Sequence, residues 1–227
     1  MKTFIPRLDI LPEWQRRLYS DLGWARLQGY VLYGGTAAAL YLGHRESKDF
    51  DFFSDQPLDK AKITKSIEAV GWGIEIIQNE QNAFSFLTTQ GNVKLSFFGT
   101  IQFGRVDEPQ ITHDKVLAVA SPLDLMGTKL KVLFDRIEAK DYVDIAQLAK
   151  SGVSLAKGLS AGKALFPREF SESECLRALT YFVGGDLDTL DSDTRMYLRE
   201  IVKKVDSVPD LKIVSMHLSS DREEGFR

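Results

Sequence analysis

Two aspartates, Asp49 and Asp51, stand one residue apart in the stretch DFDFF. The aromatic alternation predicts a strand over residues 49–53, so both carboxylates project from one face, about 6–7 Å apart along the strand. Carboxylate oxygens at this spacing suit one divalent cation such as Mg²⁺ or Mn²⁺, or help to hold two. The pair alone favours a simpler alternative, in which two solvated aspartates lie on an edge strand or cap a following turn.

A glycine turn lies about fourteen residues upstream of these aspartates. Gly34 and Gly35 have no β-carbon, so the backbone there can approach a ligand closely. Thr36 is predicted to open a helix, and the free N–H groups of a helix N-terminus favour an anion. A plain strand–turn–helix joint would also use glycine here. Together the two features predict a phosphate seat one strand away from a metal seat, which is what a nucleoside triphosphate requires.

The elements that must position these residues fall into two halves. An α/β half is predicted over residues 1–118 and a helical domain over residues 119–227, with helices to about residue 205; the fold class is therefore α+β. Gln90 and Gly91 predict a tight hairpin between two strands. The predicted strands cover residues 30–33, 49–53, 73–78, 84–89, 93–98 and 117–120. The predicted helices cover residues 11–22, 36–42, 58–70, 122–137, 140–150, 155–164, 172–182 and 194–205.

The helical half offers cations and carboxylates at helical spacing. Lys129 and Arg136 lie on one stripe of the predicted helix over residues 122–137, on the flank of a more apolar stripe, where they could neutralise a transferring phosphoryl group. Taken by spacing alone, Lys129 is better explained as a solvated lysine. Asp141 and Asp144 share a face of the next helix, and Asp141 could simply stabilise its N-terminus.

Composition limits the classes of protein that fit. The 227 residues carry 29 Lys and Arg against 32 Asp and Glu, a net charge of −3, which argues against nucleic-acid binding through overall charge but permits a local basic patch. Cys175 is the only cysteine, so no intramolecular disulfide or cysteine metal cluster can form. No signal-like start or membrane-length apolar run occurs, and a cytoplasmic location is expected.

Three separated motifs resemble those of a known family. The stretch YGGTAAALYLGHRESKDFDFF resembles the signature of the nucleotidyltransferase AbiEii/AbiGii toxin family, which belongs to the DNA polymerase β-like nucleotidyltransferase superfamily. The stretch SPLDLMGTKLKVLFDRIEAKDYVDIAQL resembles the family's Lys-Leu helix followed by a Lys/Arg-Asp-x-x-Asp helix. The stretch LRALTYFVGGDLDTL resembles a Leu-Thr-Tyr-Phe segment near the family's end. The resemblance is collinear over residues 25–205.

The resemblance implies a fold, a reaction and a set of site residues. The fold is a polymerase β-like nucleotidyltransferase core followed by helices, and the reaction is transfer of a nucleoside monophosphate from an NTP with Mg²⁺ or Mn²⁺. Asp49 and Asp51 would bind the metal, and Lys129 and Asp141 would complete the catalytic set. The residues implied to bind the nucleotide are Gly34, Gly35, Thr36, Arg45, Ser47 and Lys129.

One position departs from the pattern of that superfamily. Many of its members carry a third carboxylate on a later strand, where it helps to deprotonate the attacking hydroxyl. The corresponding strand here is VKLSFF, and Ser96 stands where the acid is expected. Either this branch manages without that acid, using Asp141, or catalysis is weak or lost; we expect the first.

Three functions remain open from the sequence. The first is a toxin-like nucleotidyltransferase acting on a tRNA 3′ end or a protein hydroxyl, with a cognate antitoxin as partner. The second is a small-molecule nucleotidyltransferase, whose site should be acidic for a cationic substrate. The third is a nucleotide-binding module without catalysis, which Mg²⁺-dependent NTP stabilisation without turnover would support. The basic patch predicted for an anionic acceptor consists of Arg45, Lys48, Lys129, Lys131, Arg136 and Lys140.

Overall fold

The computed structural model describes residues 2–220, which form two compact units. The first contains residues 2–121 together with residues 215–220, and the second is Pro122–Val214. The sequence places the division between residues 118 and 119 and assigns the whole C-terminus to the helical domain. In the structure the segment from Ser215 to residue 220 lies with the first unit instead, while residues 221–227 of the predicted helical domain lie outside the described residues.

The first unit is built on a mixed sheet in the order β1-β7-β8-β2-β3-β6-β5-β4. Its hydrogen-bonding neighbours include both parallel and antiparallel pairs, as expected for an α+β fold. The strands are β1 (Thr3–Phe4), β2 (Val31–Tyr33), β3 (Asp49–Phe53), β4 (Ile74–Glu80), β5 (Ala83–Thr88), β6 (Lys94–Phe98), β7 (Gln110–Thr112) and β8 (Ala118–Val119).

Strand β3 lies inside the sheet, between antiparallel β2 and parallel β6. Phe50 and Phe52 are fully buried and stack with ring centroids 6.3 Å apart, which fixes one face of the strand against the core. Because side chains alternate along a strand, Asp49 and Asp51 are directed to the opposite face. The alternative of an edge strand is therefore wrong, and the predicted alternation is confirmed.

Helix α3 (Gly34–Leu42) follows β2 directly, so the two glycines form its first turn and do not precede it. The predicted start at Thr36 is two residues late. The helix is buried along Ala37–Leu40 and is capped after Leu42 by Gly43, whose φ of +64° is the left-handed conformation that glycine adopts most easily. The other helices of this unit are α1 (Glu13–Tyr19), α2 (Gly23–Leu27) and α4 (Lys60–Ala69), with short 3₁₀ turns at Leu8–Ile10 and Ser20–Leu22.

The second unit is helical, as predicted. Helix α5 ends at Val132, five residues before the predicted end, because 131–134 and 132–135 backbone hydrogen bonds tighten the chain there. The helices are α5 (Pro122–Val132), α6 (Ala139–Lys150), α7 (Leu155–Leu165), α8 (Glu172–Ala178) and α9 (Ser192–Lys203). Within residues 2–220, no helix has the length and apolar character needed to cross a membrane.

Candidate functional site

The two aspartates of β3 occupy different environments on the same face of the sheet. Asp49 is exposed and Asp51 is half-buried. Asp51 pairs in register with Tyr33 of β2 on one side and with Ser96 of β6 on the other. Asp49 pairs with Lys94, also on β6. Paired residues on neighbouring strands point to the same face, so a serine and a lysine flank the two carboxylates.

Gly34 allows the backbone to approach Asp51. A β-carbon built on Gly34 would lie 2.8 Å from Oδ2 of Asp51, and the residue has a φ of +76°. Both features exclude a larger side chain without movement. The glycine is therefore required by the carboxylate beside it as well as by the turn.

Gly35 makes a second close approach, to the segment that precedes β3. Its β-carbon would lie 2.5 Å from Nη2 of Arg45 and 3.3 Å from Oγ of Ser47. The Arg45 guanidinium is thus held over the first turn of α3, where it donates to the carbonyl of Glu46 at 3.0 Å. The predicted nucleotide-binding residues Gly34, Gly35, Arg45 and Ser47 therefore lie together.

Thr36 fixes this arrangement from inside the helix. Its side chain is buried, and its hydroxyl hydrogen-bonds with the Ser47 hydroxyl at 2.7 Å and donates to the backbone carbonyl of Asp49. The hydroxyl thus links α3 to the start of β3. The Thr36 side chain therefore holds the backbone of Asp49 in place. The backbone N–H of Thr36 is the group that would contact a phosphate.

The first turn of α3 is suited to an anion. The N-cap residue, Tyr33, makes no side-chain hydrogen bond to this turn, so a side-chain cap does not occupy its N–H groups. These groups and the positive end of the helix dipole point toward the start of the helix. An anion bound at this turn would therefore lie beside the glycine that contacts Asp51.

The residues at β3 fit a divalent cation of the Mg²⁺ type. Among residues 2–220 no group of three or more His, Cys, Asp or Glu side chains could hold a metal ion by itself. The two carboxylates of Asp49 and Asp51 offer hard oxygen donors. Mg²⁺ typically takes one or two carboxylates, with water and substrate phosphate oxygens completing its coordination. An ion shared with a triphosphate fits this donor set.

Ser96 lies at the position where a third acid would stand. The register pairs it with Asp51, and its side chain is only 1% exposed. The next strand continues the row with Ser85, whose hydroxyl donates to Oε1 of Gln78 at 3.2 Å. At the position where the third acid of the superfamily is expected, the structure therefore has a row of polar, uncharged side chains beside Asp51.

In the second unit, Lys129 is buried and not solvated. It is 4% exposed, and its Nζ lies 2.8 Å from Oδ1 of Asp141 and 2.6 Å from Oδ2 of Asp144. Both aspartates are fully buried on the face of α6 that the helical spacing predicts. The alternative of a lysine on a solvated face is therefore wrong.

Arg136, whose side chain is 44% exposed, joins this ion-pair cluster from the segment after α5. Its Nε lies 2.8 Å from Oδ2 of Asp141, and its Nη2 lies 3.2 Å from Oδ1 of the same carboxylate. Burial acts to raise the pKa of Asp141, but the Arg136 hydrogen bonds and the Lys129 charge outweigh it and hold this pKa below its ordinary value. Asp141 therefore stays ionised within the cluster.

The basic patch predicted for an anionic acceptor is largely neutralised in this unit. Lys131 forms an ion pair with Asp135 at 2.7 Å, and Lys140 forms one with Glu138 at 2.7 Å. With Lys129 and Arg136 also paired, all four cations of the patch in the second unit face carboxylates. The first-unit cations of the patch, Arg45 and Lys48, belong to the segment before β3.

Two charged residues beside the predicted ones were not assigned a role from the sequence. Asp144 shares Lys129 with Asp141, and its i, i+3 spacing from Asp141 was the available signal. Lys94 lies beside Asp49, and pairing the strand over residues 93–98 in parallel with β3 would have found it. The predicted residues thus form two groups: Gly34, Gly35, Thr36, Arg45, Ser47, Asp49 and Asp51 in the first unit, and Lys129 and Asp141 in the second.

Comparison with known proteins matches this chain to one family model. Residues 25–207 match the model described as nucleotidyl transferase AbiEii toxin, type IV TA system. An uncharacterized protein of Aquifex aeolicus (strain VF5) is 28% identical over 156 residues, which cover 67% of this chain and 73% of that protein. The family match contains every site residue predicted from the sequence.

A solved structure shares the fold at low identity. MenT4, a nucleotidyltransferase toxin from Mycobacterium tuberculosis H37Rv, superposes with a TM-score of 0.50 at 13% identity, over 87% of this chain and 90% of that chain. The Megavirus polyadenylate synthase gives a TM-score of 0.47 at 13% identity, over 60% of this chain and 31% of the much longer synthase. The predicted fold, a polymerase β-like nucleotidyltransferase core with an α-helical continuation, is confirmed.

Proposed function

Because the chain belongs to the AbiEii nucleotidyltransferase toxin family of type IV toxin–antitoxin systems, we propose that it transfers a nucleoside monophosphate from an NTP to an RNA 3′ end, such as that of tRNA, or to a protein hydroxyl. The observation that carries the proposal is the contact between Gly34 and Asp51, which joins the anion seat of α3 to the carboxylates of β3. A triphosphate and its cation need these two seats side by side.

The proposed reaction forms one bond and breaks one. The acceptor hydroxyl oxygen bonds to the α-phosphorus of the NTP, the bond from that phosphorus to the β-phosphate oxygen breaks, pyrophosphate leaves, and the hydroxyl proton is lost to water. A Mg²⁺ or Mn²⁺ ion held by Asp49 and Asp51 would supply neutralisation of phosphate charge. The N–H groups of Gly35 and Thr36 and the Arg45 guanidinium would orient the phosphates.

In this proposal the polar contacts inside the first unit hold the carboxylates still. Thr36 donates to the backbone of Asp49, and Ser47 is hydrogen-bonded to Thr36. Gly34 leaves the space that Asp51 occupies. A site fixed in this way loses little freedom when the substrate binds, which favours the reactive geometry.

Lys129 and Asp141 enter the proposal through the family resemblance. Their geometry supports a cation whose position is fixed by two buried carboxylates. Such a lysine can neutralise substrate phosphate only if the phosphate competes with Asp141 and Asp144 for Nζ. We therefore propose Lys129 as a phosphate contact and Asp141 as the residue that sets its position.

The proposed partners follow from the family. A cognate antitoxin protein is proposed as the regulator, and the reaction is placed in the cytoplasm, where NTPs and tRNA are abundant. The uncharged Ser96 beside Asp51 favours one competing candidate, a nucleotide-binding module without transfer. A small-molecule nucleotidyltransferase is the other alternative.

The test is to incubate the protein with each α-³²P-labelled NTP, with Mg²⁺ or Mn²⁺, and with total bacterial RNA and protein. We expect label in the RNA or protein fraction with the wild type and none with Asp49→Ala. Glu75→Gln removes an exposed carboxylate of β4 and should label as the wild type does. No label in either fraction, with NTP binding retained, would overturn the proposal in favour of a binding module or a small-molecule acceptor.

A further inference from the structure

Lys94 is half-buried and lies beside the candidate catalytic carboxylates, and the proposed function assigns it no role. It begins β6, in register with Asp49, on the face that carries Asp49 and Asp51. Within residues 2–220 its ammonium group forms no ion pair and no side-chain hydrogen bond. Its neighbour on the other side, Leu87 of β5, is apolar and offers no partner. A cation is thus presented beside two carboxylates without being neutralised by them.

The sheet order gives the two sides of β3 different character. Strand β2 lies on one side and leads directly into the glycine turn, so the anion seat for the NTP lies on this side. Strand β6 lies on the other side and presents Lys94 and Ser96. A group attacking the α-phosphate must approach opposite to the leaving pyrophosphate, because the displacement is in line. The acceptor therefore belongs on the β6 side.

The row that continues from Asp51 on the β6 side is polar and uncharged, and its two serines are buried. Ser96 pairs with Ser85 of β5, and Ser85 is bonded to Gln78 of β4. Among the β6 and β5 residues in register with Asp49 and Asp51, Lys94 carries the only full charge of the described structure, and that charge is positive. The Asp49 row ends three strands away at Glu75 of β4, which is the carboxylate that a cationic small molecule would find there beyond Asp49 and Asp51. For an acceptor that carries phosphates, Lys94 offers a positive charge on the strand next to Asp49 and Asp51.

We infer that Lys94 binds a backbone phosphate near the 3′ end of an RNA acceptor, over the β6 side of β3. The inference rests on the proposed function for the direction of attack and names RNA as the acceptor class, because the charge paired with Asp49 on the β6 side is positive. Lysine acts as a point charge toward a phosphate and contributes affinity without sequence specificity. The contact positions the acceptor and leaves the NTP seat unchanged.

Binding of RNA tests this inference without requiring turnover. The probe is deacylated bulk tRNA carrying a 5′ fluorescein, followed by anisotropy with wild type, Lys94→Met, Lys94→Arg and Lys65→Met. Lys65 is an exposed lysine of α4 and serves as the matched control. We expect Lys94→Met to weaken binding roughly tenfold and Lys94→Arg to restore most of it. The slope of log K against log salt should fall by about 0.7 for Lys94→Met, as for one lost single-strand phosphate contact.

The outcomes separate this inference from the proposed function. Failure of the wild type to bind tRNA, or equal affinity of Lys94→Met and Lys65→Met, overturns the role of Lys94 even if the protein transfers nucleotides. Labelling of protein alone in the transfer assay also overturns it. If tRNA binding depends on Lys94 but no transfer occurs, the inference stands and the proposed catalysis fails. In an active enzyme, Lys94→Met should raise KM for tRNA and leave KM for the NTP unchanged.

Discussion

A β-carbon on Gly34 would lie 2.8 Å from Oδ2 of Asp51. Gly34→Ala is therefore expected to displace this carboxylate and lower nucleotide transfer by roughly 100-fold, the scale of a misplacement of about 1 Å at a reacting centre. Gly71→Ala is the matched control, because Gly71 also has a positive φ, +90°, but nothing lies within 4 Å of its β-carbon. Both variants carry a backbone cost of about 1–2 kcal/mol. Equal activities of the two variants would contradict a role for the Gly34–Asp51 contact.

Because Lys129 is buried, we expect its substitution to lower the free energy of unfolding substantially. Lys129→Met removes the ammonium group that Asp141 and Asp144 share, and it leaves Asp144 without this charge in a fully buried position. Breaking a buried pair from one side costs about 3–5 kcal/mol of unfolding free energy. Urea denaturation measures it, with the exposed Lys65→Met, expected within about 0.5 kcal/mol of the wild type, as control. A loss below about 1 kcal/mol for Lys129→Met would show that the ion pairs contribute little.

The lowered pKa of Asp141 predicts how the free energy of unfolding depends on pH. Because its pKa in the folded state is lowered, the unfolded state binds the proton more readily, and the stabilisation is present above the unfolded pKa of about 3.9. It is lost as the pH falls through that value toward the lower folded pKa. Urea unfolding from about pH 5 to pH 3 should therefore show a steeper loss for the wild type than for Asp141→Asn. The exposed Asp206→Asn should keep the wild-type slope. Parallel slopes for all three proteins would contradict the lowered pKa.

Ser96 tests whether the site manages without a third acid. A serine hydroxyl does not act as a base near neutral pH, and a general base typically contributes 10²–10⁴-fold to a rate. Ser96→Ala should therefore retain transfer within roughly tenfold of the wild type, whereas Asp51→Asn should lose more than about 100-fold. The labelled-NTP assay with a saturating acceptor measures both. A loss in Ser96→Ala as large as that in Asp51→Asn would assign Ser96 a direct part in the reaction.

The first unit shows which structure is encoded locally. The alternation of Asp49–Phe53 and the apolar run of α3 each predict their element from a few residues, and both are present. Strands β1 (Thr3–Phe4) and β7 (Gln110–Thr112) were not predicted because they are only two and three residues long. They also pair with each other although they lie near opposite ends of the first unit's sequence. Nothing in either short segment distinguishes it from a loop until its distant partner is known.

The candidate site likewise combines features that residue spacing predicts with features that depend on contacts distant in sequence. Residue types and spacing place the two carboxylates and the glycine turn, because a strand and a helix start have fixed side-chain directions. Spacing could not show that Lys129 is buried, since burial depends on α6 supplying Asp141 and Asp144 to the same point. Nor could it place Lys94 beside Asp49, which depends on the parallel pairing of β6 with β3. The catalytic roles themselves stay predictions.

The most direct test of the account is NTP binding with and without the divalent ion. Isothermal titration with a nonhydrolysable NTP analogue, in Mg²⁺ or in EDTA, would be run on the wild type, the double variant Asp49→Asn with Asp51→Asn, and Glu75→Gln. We expect wild type and Glu75→Gln to bind in Mg²⁺, and both EDTA and the double variant to weaken binding at least roughly tenfold, a change of about 1.4 kcal/mol. Equal affinity of the double variant and the wild type in Mg²⁺ would contradict the claim that Asp49 and Asp51 hold the cation beside the triphosphate.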